Sequence, residues 1–231
     1  EIYTGSIVGS VRCVYETGYK LITFLAMIAN IDDNIGKLMQ FLDESGIADN
    51  TILIFLTDNG STMGERYYDA GMRGRKTQLW EGGHRVPCFV RWPEGRFGES
   101  RDLGGLTQVQ DLLPTILDFC EVNSGTKFDG ISLASALRGE ELVPEDRMII
   151  INYSRMPRLD YPMPDSPSIM RREGAGVLWK RWRLLEDKEL YDLASDPKQA
   201  RNVITEHPAV VKKMRAEPVS YTHLTLPTML P

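Results

Sequence analysis

The sequence predicts an α/β fold built on a parallel sheet, followed by a small C-terminal α+β subdomain with an antiparallel sheet. Three observations carry this expectation. The run Thr51-Ile-Leu-Ile-Phe-Leu-Thr-Asp58-Asn59-Gly60 is an unbroken apolar strand ending in a carboxylate, an amide and a glycine. Strands buried on both faces read this way and belong to parallel sheets. An amphipathic helix and a short loop precede it, which is the second half of a βαβ unit. Beyond residue 146, short strands lead into a terminal helix, the pattern of an α+β unit.

Each element follows from local chemistry. From Lys20 to Glu44, Leu21, Phe24, Leu25, Ile28, Ile31, Ile35, Leu38, Met39 and Leu42 recur at helical spacing. Gly46 is the expected C-cap, and Ala48-Asp49-Asn50 the turn into the strand. Asp32-Asp33-Asn34 splay around the helix axis and read as a solvated face. Ser61 to Gly74 shows no apolar alternation and reads as a long shaped loop. Arg85 to Pro93 is a second short strand. Asp111 is the expected N-cap of a helix through Cys120, with Pro114 in its first turn. Ser132 opens a short helix that Gly139 closes. Met148–Tyr153, Gly176–Leu185 and Glu189–Leu193 read as strands, and a helix starts at Pro208, with His207 a surface residue beside it. The expected division is 1–145, the α/β part; 146–217, the α+β subdomain; and 218–231, a tail with the character of translated adaptor sequence. That tail, with His223, is set aside from fold reasoning.

Bulk properties exclude some classes. The 231 residues are 42% hydrophobic and 26% charged, ordinary for a globular protein. A net charge of −5 argues against a nucleic-acid binder. No apolar run reaches the roughly 18 residues of a membrane helix. Three cysteines, Cys13, Cys88 and Cys120, give neither a disulfide framework nor a zinc pattern. The chain starts at Glu1 without an initiator methionine or a signal peptide, so it is expected to begin within a longer protein. Oligomeric state is not legible.

Asp58-Asn59-Gly60 admits two readings. Asn-Gly is a common hairpin turn. Ligands of open α/β sheets, however, collect at the carboxyl ends of strands, and a carboxylate beside an amide suits a hard cation. The absence of a second strand in Ser61–Gly74 favours the metal site.

Four blocks resemble one family. They are Ala26–Gly36 with Asp49–Gly60; Arg73-Gly-Arg-Lys76 with Trp80-Glu-Gly-Gly-His-Arg-Val-Pro87 and Arg91-Trp-Pro93; Asp111–Leu117; and Glu189–Pro197 with Arg201-Asn202. In this order and spacing they resemble the C-terminal portion of type I sulfatases, in the alkaline phosphatase superfamily. The resemblance implies part of an alkaline-phosphatase-like α/β/α sandwich and a sulfuric ester hydrolase with one calcium ion and a formylglycine nucleophile. It makes Asp58 and Asn59 calcium ligands and Lys76 the catalytic lysine that contacts the substrate sulfate. Arg73, Arg75 and His84 are weaker substrate-binding candidates, and Glu81 is expected to brace the Gly82-Gly83 turn. The implied substrate is a sulfated small molecule or sulfated glycan, and the implied location periplasmic or extracellular. No C/S-x-P-S-R run occurs, and Cys13 lies in Val-Arg-Cys-Val-Tyr-Glu. The nucleophile and the early metal ligands are therefore expected outside this chain, which alone should be inactive. Two alternatives remain open: a phosphonate or phosphate ester hydrolase of the same superfamily, and a non-catalytic relative that binds sulfated glycans.

Overall fold

Helical periodicity, a strand pair and a four-stranded sheet account for the regular structure of the computed structural model, which describes residues 4–62, 64, 67–152 and 175–222. Contacts divide it into two units, Glu1–Leu53 with Arg91–Glu94, and Ile54–Val90 with Gly95–Pro231. Tyr153 of the expected strand and His223 of the tail lie outside the described residues, as does the side chain of Cys13.

The first unit is built on α1 (Thr4–Glu44), which starts well before the expected Lys20. Gly46 ends it in the left-handed region at φ 67°, and the Ile47 amide donates to Leu42 O at 3.1 Å. Thr51 Oγ1 donates to Ile47 O at 2.7 Å, tying the turn that follows. Leu42 and Ala48 are buried, and Asp32, Asp33 and Asn34 are exposed. The apolar stripe behaves otherwise: Ile28, Ile31, Leu38 and Met39 are exposed. No helix among the described residues is long and apolar enough to cross a membrane.

Strands β1 (Leu53–Leu56) and β2 (Cys88–Arg91) form a two-stranded sheet. The sequence predicts burial of β1 on both faces, and the structure corrects this. Phe55 and Phe89 stack at 6.3 Å between ring centroids, yet both are exposed, because no described layer covers that face. The single turn α2 (Glu81–His84) leads into β2.

The next segment is organised by a buried acid. A 3-10 turn, Val109–Asp111, runs into α3 (Leu112–Phe119). Asp111 does not cap α3 with its side chain as expected. Its fully buried carboxylate accepts from the Ile131 amide at 3.0 Å, the Gln108 amide at 2.8 Å and Arg147 Nη1 at 2.7 Å. A buried charge needs a counter-charge and filled lone pairs, and Arg147 supplies the first. Helix α4 (Ala134–Arg138) is closed by Gly139 at φ 78°, and Ser132 Oγ accepts from the Ala134 amide at 3.2 Å.

The C-terminal sheet is antiparallel, in the order β3 (Met148–Asn152), β4 (Ala175–Trp179), β5 (Trp182–Leu185), β6 (Glu189–Asp192). The expected single strand Gly176–Leu185 is in fact a hairpin, with Trp179 paired to Trp182 across Lys180-Arg181. Lys180 takes the left-handed φ of 50° without the glycine or asparagine that would signal it. Helix α5 (Pro208–Thr222) packs Val211 and Met214 onto Val177, Leu184 and Leu190. His207 is half-buried rather than on the surface, its ring 4.7 Å from that of Trp182.

This core yields a stability prediction. Leu190 is 0% exposed, so Leu190→Ala should cost about 3 kcal/mol in urea unfolding. Leu142 is 85% exposed, and Leu142→Ala should change stability by no more than about 0.5 kcal/mol in the same assay.

Candidate active site

The end of β1 delivers Asp58 and Asn59 together. The Asn59 amide donates to the Asp58 carboxylate, so the two side chains lie side by side beyond the strand. Gly60 then makes a close backbone contact. Its amide donates to Gly83 O at 3.0 Å, and a Cβ on Gly60 would meet Gly82 O at 1.8 Å. Only glycine fits there. One residue on, Ser61 O accepts the Lys76 amide at 3.3 Å. The strand end and the lysine loop are thus neighbours in backbone register.

The loop is folded equally tightly on itself. The Gly82 amide donates to Arg73 O at 2.8 Å and the Gly83 amide to Trp80 O at 2.8 Å. A Cβ on Gly82 would lie 2.3 Å from Gly74 O, and one on Gly83 would lie 1.9 Å from Gln78 O. Gly74 and Thr77 take positive φ, 93° and 70°, which curls the chain around Lys76. Lys76 itself is exposed at the apex.

The weaker candidates fall in different places. Arg73 turns toward the C-terminal segment: Nη1 donates to Gln199 O at 2.6 Å and to the Tyr191 hydroxyl at 3.3 Å, and the guanidinium lies 4.0 Å from the Trp80 ring centroid. Those contacts hold Nη1 and the guanidinium plane against the protein, while the residue as a whole remains exposed. Arg75 is exposed next to Lys76, its amide donating to Gln78 Oε1 at 3.0 Å. The His84 side chain is only 10% exposed, with Nε2 3.1 Å from Leu79 O and 3.8 Å from Glu81 Oε1. Burial holds its pKa below the ordinary 6.5, opposed by Glu81 and assisted by Arg183 and Arg85.

Beneath the loop lies a polar cluster whose long-range half the sequence did not reveal. Glu81 is 2% exposed and accepts from Arg183 Nε at 2.6 Å. Arg183 Nη1 also donates to Lys180 O and Trp182 O, each at 2.9 Å. The Glu81 amide donates to Gln199 Oε1 at 2.9 Å. Gln199 is fully buried, sits at a left-handed φ of 51°, and its Nε2 has no hydrogen-bond partner among the described residues. An unfilled buried donor costs about 1–3 kcal/mol, so other contacts of Gln199 must offset it. The bracing role expected of Glu81 had a local signal in Gly82-Gly83. Arg183 and Gln199 had none, lying 102 and 118 residues along the chain.

The donor set is partial for a metal. Among the described residues no group of three or more His, Cys, Asp or Glu could hold an ion. Asp58 and Asn59 offer oxygens of the right type, but a calcium ion takes about six to eight. They fit as part of a site.

His84 gives a pH prediction. A histidine whose folded pKa lies below 6.5 binds fewer protons folded than unfolded just under that pH. Its contribution is present above 6.5 and is lost as pH falls through the folded pKa. Melting of the chain followed from neutral to mildly acidic pH should show that loss, and His84→Gln should flatten it.

The chain is similar to known families and proteins. The family model described as "Sulfatase" matches residues 12–122, and that described as "N-sulphoglucosamine sulphohydrolase, C-terminal" matches residues 74–221. An N-acetylglucosamine-6-O-sulfatase of Bacteroides thetaiotaomicron is 26% identical over 88% of this chain and 35% of its own length. An N-acetylgalactosamine-6-O-sulfatase of the same organism is 27% identical over 81% of this chain and 39% of its own length. The chain thus spans well under half of these relatives. The crystal structure of a phosphonate monoester hydrolase of Agrobacterium radiobacter superposes with a TM-score of 0.62 at 23% identity, over 85% of this chain and 39% of that one, which shows a shared fold. With both family models in chain order and the second covering well over half of the residues, the chain belongs to the sulfatase family.

Proposed function

We propose that the protein carrying this chain hydrolyses sulfate esters of sugars, and that this chain supplies two calcium ligands, Asp58 and Asn59, and the sulfate-binding lysine, Lys76. The observation that carries the reading is the backbone link from β1 to the loop, Gly60 to Gly83 and Lys76 to Ser61. It holds the backbone of the acidic strand end against that of the lysine loop, the neighbourhood that a divalent-metal and sulfate-oxygen site requires. A calcium ion bound there would neutralise and orient the sulfate oxygens. Lys76 would donate hydrogen bonds to the ester and stabilise the negative charge that builds on the leaving oxygen as its bond to sulfur breaks. Arg75, exposed beside it, would meet a second anionic group of the substrate. The nucleophile in this reading is a formylglycine elsewhere in the protein, since these 231 residues hold no C/S-x-P-S-R run.

The substrate class rests on the relatives, two of which are amino-sugar 6-O-sulfatases. The fold shared with a phosphonate monoester hydrolase makes a phosphonate ester the competing substrate.

Sulfate release by the full-length protein should be measured on an aryl sulfate and on 6-sulfated N-acetylglucosamine, with a phosphonate monoester as comparison. Lys76→Ala should lower kcat/KM by about 100-fold or more, the usual cost of removing a donor aimed at developing charge. Chelation should abolish turnover and calcium restore it. Faster turnover of the phosphonate ester, or indifference to both the chelator and the lysine, would refute the assignment.

A further inference from the structure

We propose that Glu81, clamped by Arg183 and Gln199, is a positioning residue that sets the spacing between the Asp58–Asn59 strand end and Lys76; this rests on the functional reading above. Glu81 touches neither group. It acts through the turn that it begins, α2.

The chain of contacts is continuous. From the C-terminal sheet, Arg183 Nε grips the Glu81 carboxylate at 2.6 Å while Nη1 is fixed by the carbonyls of Lys180 and Trp182. From the segment after β6, Gln199 accepts the Glu81 amide at 2.9 Å. The same residue's carbonyl accepts Arg73 Nη1 at 2.6 Å, so Gln199 holds the loop at both ends. Gly82 and Gly83 follow the Glu81 anchor directly. Gly83 O holds the Gly60 amide, and the Gly82 amide is held by Arg73 O. A displacement of Glu81 therefore moves the strand end and the lysine loop relative to each other.

Two features separate this from ordinary packing. A lone hydrophobic contact would fill the space beneath the turn without a paired charge drawn from another sheet. Gln199 also keeps two unfavourable features together, a left-handed backbone and a buried Nε2 with no hydrogen-bond partner among the described residues. Backbone strain of this kind persists where the surroundings over-determine it, and such sites cluster around functional groups. What Gln199 gains in exchange is the simultaneous grip on Glu81 and Arg73.

The test has two arms. In the 231-residue chain, amide hydrogen exchange of Glu81→Gln and Arg183→Lys should show protection at Gly60, Lys76 and Gly82 falling by about tenfold or more, with the Val203 amide of the C-terminal core unchanged. In the full-length protein, both variants should lower kcat by about 100-fold at temperatures where they remain folded, as expected for a misplacement near 1 Å. The double variant Glu81→Gln/Arg183→Lys should be no worse than the poorer single, because the pair acts as a unit. If Glu81→Gln does not fold, Arg183→Lys, which keeps the charge, carries both arms. Protection lost uniformly across the chain, or kcat within about twofold of the parent in folded variants, would overturn the positioning role. Lys76→Ala separates the two claims. If it is silent, the functional reading fails and takes this inference with it; if it is inactive while Glu81→Gln and Arg183→Lys are not, only the positioning role falls.

Discussion

The ion pair between Glu81 and Arg183 is the contact on which the candidate site hangs. Both partners are nearly excluded from solvent, at 2% and 6% exposure, and a buried charge is tolerated only when paired and hydrogen-bonded. The pair meets that condition through the geometry of arginine, whose fork reaches one carboxylate and two carbonyls at once. Lysine has no equivalent. Because the carboxylate sits on the loop and the guanidinium on β5, satisfying the charges also fixes the loop against the sheet.

The glycines carry that anchor to the strand end and the lysine loop. Backbones that approach as closely as Gly60, Gly82 and Gly83 do leave no room for a side chain. Close approach places carbonyls and amides of β1 and the loop in direct contact, with no side chain between them to deform. The Asp58–Asn59 end and the Lys76 apex are therefore joined by short, stiff paths. Asp111 and Arg147 repeat the principle elsewhere, tying the 3-10 turn to the stretches around Ile131 and Leu106.

Much of the local structure was legible in the sequence. The helix through Glu44, the strand at Leu53, the Gly139 cap and the helix at Pro208 all follow from periodicity and end chemistry, which act within a few residues. The misses share a cause. Asp111 looked like a cap because its neighbours permit one, but a distant arginine claimed its oxygens. The β4–β5 hairpin turns at Lys180 with no turn residue, since strand pairing imposed the positive φ. The stripe on α1 and the phenylalanines of the β1–β2 sheet have the residue types of a core and yet are exposed, in a chain that spans 35% of its relative's length. Residue type records what a surface is suited to bury; it does not supply the cover.

For the candidate site, the sequence alone determined which chemical groups are on offer. A carboxylate and an amide after an apolar run, a lysine among glycines, and the order of the blocks all sit in short segments whose composition carries their meaning. Tertiary structure decided which of these groups meet and what holds them. It turned Arg73 toward Gln199 and Trp80, put His84 against Leu79, and brought Arg183 to Glu81 across 102 residues. Local composition can fix what a side chain is able to do. The partner of a buried charge is chosen only when the whole chain has closed around it, because the energy of leaving it unpaired is felt only once water is gone.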